Sequence, residues 1–242
     1  MIDLRLGIMQ PYFFPYMGHF SLIAHTDEWI VFDITQYTPK TWMNRNRILH
    51  PQSGWNWVSV PLSNSSISIK TMDARIQDIQ STGKSILGKL SHYRKTAPYY
   101  FEVESIVREV FSSSKDDDSL VHLNLKGLDL ICEYIGLPFK RNICSEMGLV
   151  FPKEIDAGGW ALEICSQLGA DSYLNPVGGK ALFDTTRFKE RGIELNFLRS
   201  LEFSYETATF PFIPGLSIID VLMWNDPAKV HHAIKTGVEI LT

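Results

Sequence analysis

Apolar and polar positions along the chain change period several times, and each change predicts an element. Within residues 5–33, Leu6, Ile8 and Met9 form a short apolar run suited to a buried strand. Pro11 and Pro15 stop its continuation and restrict the backbone between them. Gly18-His19 then opens a helical pattern with Phe20, Leu22, Ile23 and Ala24 apolar, and Ile30-Val31-Phe32 reads as a second strand ending at Asp33. Residues 55–61 alternate at period two, as a half-buried strand closed by proline does, and 66–70 predict another short strand. Three helical patterns follow without a strand between them, over 86–95, from Pro98 to about Phe111, and over 119–136, where Gly136 and Pro138 supply the stop. Strands over 139–144, 172–174 and 193–198 then alternate with helices over 160–168 and up to Gly192. A helix carrying Leu216, Ile219, Leu222 and Met223, and a last one capped by Asn225-Asp226-Pro227, complete the pattern.

This order predicts an α/β fold with a Rossmann-like, mostly parallel sheet and a helical insertion in the middle of the chain. The expected parts are an α/β half over 1–84 containing the 10–19 loop, a helical insertion or subdomain over 85–136, and a second α/β half over 137–242 that completes the same domain. In such folds ligands sit beyond the carboxyl ends of the strands, beside helix N-termini. The 10–19 loop and Asp33 are therefore expected to face one crevice.

Composition narrows the partners. The 242 residues are 45% hydrophobic and 21% charged, as in an ordinary globular protein, and the net charge of −4 argues against bulk binding to DNA or tRNA. Three widely spaced cysteines, Cys132, Cys144 and Cys165, show no metal-ligand pairing and read as reduced thiols. No signal peptide and no apolar run of membrane-spanning length is evident, so a cytoplasmic protein is expected.

Candidate chemistry gathers in four segments. Trp42-Met43-Asn44-Arg45-Asn46-Arg47 joins two guanidiniums, two carboxamides and an indole, which suits either anion recognition or a solvated turn. Asn175-Pro176-Val177-Gly178-Gly179-Lys180 follows a strand, so its glycines let backbone N–H groups approach an anion and Lys180 would neutralise it; a tight connection fits equally. Ser217 and Asp220 lie on the helix after Pro214-Gly215, positioned to organise a site from behind or simply to bond locally. Gln10–His19 is the fourth. Gly83-Lys84-Ser85 is no P-loop, because Asp78 stands where its first glycine belongs, and it reads as a turn into a helix. The acidic run Asp116-Asp117-Asp118 reads as a cap for the next helix, and no metal site is indicated.

The strand–loop–Gly18-His19–helix–strand unit resembles half of the HxGH signature of a nucleotidyltransferase superfamily, with Tyr16 where the first histidine belongs. A broader resemblance rests on MQPYFFPYMGHF, WMNRNRI, YLNPVGGKALFD with the following GIEL, and LSIIDVLMWN. These motifs span nearly the whole chain and resemble the WbqC-like protein family. The resemblance implies a role in cell-surface polysaccharide (O-antigen) biosynthesis: transfer or ligation of a glycine-like acyl or aminoacyl group to an amino sugar on a nucleotide carrier. Taken together, the two resemblances imply an ATP-dependent route through an acyl-adenylate, with Mg accompanying ATP and no tightly bound cofactor. His19, Asp33 and Arg45 are then the expected catalytic groups. His19 and Gly18 would hold phosphates, Asp33 would orient the acceptor amine or act as a base, and Arg45, Arg47 and Lys180 would offset developing charge. Gln10, Asn44 and Asn175 would fix polar substrate groups, joined by Tyr12, Tyr16, Trp42, Gly178 and Gly179, with Ser217 and Asp220 behind. Two alternatives stay open: an ATP-independent transferase using a thioester or aminoacyl-tRNA donor, and a non-enzymatic nucleotide-sugar binding protein whose Trp42, Trp55 and Trp57 stack on sugars.

Overall fold

The computed structural model describes residues 3–242. Its centre is a six-stranded sheet made from β1 (Arg5–Met9), β2 (Glu28–Val31), β5 (Arg141–Ile143), β6 (Ser172–Pro176), β7 (Glu194–Ser200) and β8 (Val238–Leu241). The spatial order is β5-β2-β1-β6-β7-β8. All neighbours run parallel except β8, which pairs antiparallel with β7. The chain builds outward from β1 to one side and then, from β6, to the other. That reversal is the switch point of a doubly wound Rossmann-like sheet. Register fixes it tightly: Gly7 lies beside Trp29 on one flank and Leu174 on the other.

Both faces of this sheet are covered, which is why its strands read as apolar runs. Trp29, Val31, Leu174 and Leu198 point to a core shared with helices α1 (Met17–Ala24), α4 (Leu120–Ile135) and α8 (Pro227–Thr236). Leu6, Ile8, Ile30, Tyr173 and Phe197 point to the opposite core, against α5 (Gly159–Leu168) and α6 (Thr185–Glu190). A separate antiparallel hairpin, β3 (Arg45–Leu49) with β4 (Trp55–Ser59), packs with α2 (Ile79–Leu90), α3 (Tyr100–Ser113) and α7 (Ile218–Trp224) into the first core. Ser119 caps α4, and Gly136 ends it at φ +69°, where a side chain would be strained.

Several local expectations are corrected. The WMNRNR segment is only half a turn: Trp42-Met43-Asn44 make the turn, and Arg45 opens strand β3, where Asn46 finds buried partners and both arginines stand beside indole rings. Residues 66–70 form no strand; a single bridge joins Lys70 to Gln36, whose side chain also donates to the Ile67 carbonyl, and Ile67 is exposed. Gly83-Lys84-Ser85 lies inside α2, which starts at its Asp78 cap rather than at residue 86. Gly83 is there for packing, since a Cβ would stand 2.9 Å from the Phe111 ring. The α4 cap is Ser119 rather than the aspartates, although Asp117 accepts from the Ser119 backbone N–H. Strand β8 was not expected from the sequence.

Candidate functional site

Beyond the carboxyl ends of β1 and β6 the sheet opens into a crevice of about 470 Å³. Gln10 follows β1 and Asn175 is the next-to-last residue of β6, so two carboxamides line the crevice at the switch point. Tyr12, Tyr16 and Trp42 form one wall, Trp160 of α5 another, and Gly178, Gly179 and Phe183 the floor of a third. Gln10 donates to the Thr35 hydroxyl at 3.3 Å, while Asn175 accepts from Tyr173 Oη at 2.8 Å and donates to the Pro176 carbonyl. A Cβ on Gly179 would meet the Asn175 amide at 2.4 Å, so glycine keeps that carboxamide seated. The lining contains no lysine, arginine, aspartate or glutamate.

The aromatic loop that forms the first wall is held by buried amides and a hydroxyl. Asn124 of α4 donates to the carbonyls of Pro11 and Met43, both at 2.8 Å. Asn46 donates to Phe13 and Phe14, and Ser217 Oγ donates to the Phe14 carbonyl at 2.6 Å. Phe14 itself sits at φ +38°, a strained conformation for a bulky residue, and these bonds hold it there. Main-chain bonds from Phe13 N–H to Trp42 and from Ile218 N–H to Pro15 complete the frame.

His19 reaches the crevice from α1, 2% exposed, with its ring centroid 4.9 Å from Trp29 and 5.3 Å from Tyr12. Its Nε2 has no partner, and burial drives its pKa down to about 3. It is therefore uncharged at neutral pH. Burial raises the Tyr12 hydroxyl pKa, with Tyr16 adding to the effect, and burial raises Tyr16 as well, so both phenols stay protonated.

Of the residues expected from sequence, Gln10, Tyr12, Tyr16, His19, Trp42, Asn175, Gly178 and Gly179 line this crevice. Arg47 does not; it lines an adjoining cleft that shares Tyr12, Tyr16 and Trp42. The expectation that Asp33 shares the crevice is corrected. It is buried and its carboxylate is occupied by the Ser145 N–H at 3.0 Å and the Ser145 hydroxyl at 2.6 Å, which pins the turn after β5. Arg45 lies against Trp57, 4.0 Å from the ring centroid, outside the lining. Asn44 donates to the Val60 carbonyl, and its Oδ1 is buried without a partner. Lys180 turns toward Phe197 and the Thr242 carbonyl. Gly18 serves packing rather than an anion, because the Tyr16 ring and the Ser200 hydroxyl fill the space a Cβ would need, at 2.4 and 2.7 Å. Ser217 is a helix cap and loop anchor. Asp220 is fully buried and accepts from Tyr93, from Tyr205 at 2.7 Å and from the Leu49 N–H. Burial raises its pKa against the pull of those donors, and it stands well behind the loop. Sequence reasoning missed Thr35, Trp160, Tyr173 and Phe183, which reach the crevice only because β2 and β6 lie on either side of β1.

Fold and crevice together define an α/β protein of doubly wound, Rossmann-like type with a neutral, aromatic crevice at its switch point. The chain belongs to the WbqC-like protein family, which it matches over residues 10–232. It is similar to the uncharacterized protein Rv1507c of Mycobacterium tuberculosis, 26% identical over 219 residues, covering 90% of this chain and 92% of the relative. No solved structure matches the chain significantly. Among the described residues, no helix is long and apolar enough to cross a membrane.

Proposed function

We propose that the protein transfers an acyl or aminoacyl group to an amino sugar carried on a nucleotide, in the making of a cell-surface polysaccharide, with the nucleotide-linked sugar held in the switch-point crevice. The observation that carries this reading is the character of the crevice: aromatic faces for a base or sugar ring, and the carboxamides of Gln10 and Asn175 for polar edges. Its position at the reversal of strand order is where doubly wound sheets take such ligands.

The same lining favours a donor that arrives already activated, as a thioester or ester. ATP with Mg fits these residues poorly. No carboxylate lines the crevice to hold the ion that ATP brings with it. The Tyr16 ring also sits over Gly18 at the first turn of α1. In this reading the chain's own contribution is to desolvate and orient: Trp42, Tyr12 and Trp160 exclude water, and Gln10 and Asn175 set the acceptor amine against the donor carbonyl.

The test is to offer the protein UDP- or dTDP-linked amino sugars with either a pre-activated acyl donor or ATP plus the free acid, and to weigh the products. An added acyl mass on the sugar with the activated donor alone is the expected result. AMP release with the free acid would reverse the choice of donor. No binding of any nucleotide-linked sugar, with no acylated product, would sink the reading.

A further inference from the structure

The cleft beside the crevice has a different chemistry. In the β3–β4 register Arg47 is opposite Trp57 and Leu49 opposite Trp55, so arginines and indoles share one face of the hairpin. Arg47 is flanked by two rings, its Cζ 5.4 Å from the Trp42 centroid and 5.3 Å from that of Trp55. Those two indoles are 41% and 40% exposed, high for so large an apolar side chain. Among the described residues no carboxylate pairs with Arg45 or Arg47 within ion-pair distance. Arg47 spends one donor on the Gly215 carbonyl at 3.1 Å, and its Nε is buried without a partner.

A guanidinium set beside two indole rings, with one N–H spent on a carbonyl, is pre-oriented, and its unspent N–H groups suit a planar or tetrahedral anion. The exposed Trp42 indole, which lines the cleft, offers an apolar face of the kind that stacks on the C–H side of a sugar ring. The cleft is about 250 Å³, below the usual range of roughly 300–1,000 Å³ for larger ligands. One small ring fits it.

We propose that this cleft binds a monosaccharide unit bearing an acidic group, either a uronate carboxylate or a sugar phosphate, with its ring against Trp42 and its anion on Arg47. The site shares Tyr12, Tyr16 and Trp42 with the crevice, so a ligand spanning both would present a neutral part to one and a charged part to the other. The proposal rests on the hairpin face and not on the acyl-transfer reading, and binding alone tests it.

The full chain is titrated with glucuronate, glucose 1-phosphate, glucose and acetate, followed by calorimetry and by tryptophan fluorescence. Either acidic sugar is expected to bind at least about tenfold more tightly than glucose or acetate, and the better one names the acidic group. Arg47→Gln is expected to lose that margin, while Arg47→Lys, which keeps the charge without the fork, retains part of it. Circular dichroism confirms that the variants are folded, and Trp42→Ala, which leaves the arginine in place, provides a second route to the same loss. Equal binding of glucose, equal binding of acetate, no binding of any sugar, or unchanged affinity in folded Arg47→Gln and Trp42→Ala would each overturn it.

Discussion

His19 is an imidazole with no hydrogen-bond partner for Nε2, enclosed by Tyr12 and Trp29. A histidine whose folded pKa lies near 3, against an ordinary 6.5, binds its proton more readily in the unfolded chain. Its contribution to stability is complete above pH 6.5 and is lost as pH falls toward 3, at about 1.4 kcal/mol per pH unit. Asp220 acts in the opposite sense, because burial raises its carboxyl and the folded state then holds the proton more tightly. Replacing His19 by Phe removes only the histidine's share. Urea unfolding at pH 7 and pH 5 is expected to show the wild type losing about 2 kcal/mol more than His19→Phe over that interval. Equal losses in the two proteins would show that the ring is not desolvated as the structure places it.

At the scale of elements, two glycines make opposite predictions. Gly158 precedes α5 at φ −78°, a conformation alanine adopts freely, but its Cβ would fall 2.3 Å from the backbone oxygen of Leu182. Gly158→Ala must therefore push α5, with Trp160, away from the turn that carries Gly178 and Gly179. The expected cost is about 1–3 kcal/mol, with a lowered melting temperature and weaker binding in the crevice. Gly88 lies inside α2 with nothing within 4 Å of the same position, so Gly88→Ala is expected to raise stability by about 0.5–1 kcal/mol. Matching signs for the two variants would contradict this packing. The contrast also shows what a sequence reveals. Periodic apolar runs disclosed α4, α5, β1 and β7, because burial on one face leaves its period in the chain. Strand β3 stayed hidden, because the first of its buried residues is the polar Asn46, held by bonds to two carbonyls, while its arginines stand beside indoles contributed by other segments.

Across the whole molecule, the site was half legible for a reason of topology. Gln10, Tyr12, Trp42 and Asn175 stood out as unusual residues at strand ends and loops, whereas Trp160 and Thr35 acquire a place only once β6 and β2 flank β1. Lys180 and Asp33 misled because residue type shows what a side chain can bind but not whether a neighbour already occupies it. Asn124 is the reverse case, an ordinary residue in an amphipathic helix that joins the helical layer to both aromatic segments of the crevice wall. Its amide serves the Pro11 and Met43 carbonyls together, so Asn124→Leu leaves two buried acceptors unpaired at about 1–3 kcal/mol each. Asn124→Asp is worse at neutral pH, since it aims a carboxylate at those same oxygens. Urea unfolding at pH 7 is expected to rank wild type above Asn124→Leu and Asn124→Leu above Asn124→Asp. Where the leucine variant stays folded, its affinity for a nucleotide-linked sugar is expected to fall with the loosened loop. A leucine variant with wild-type stability would mean that α4 packs beside the crevice without holding it.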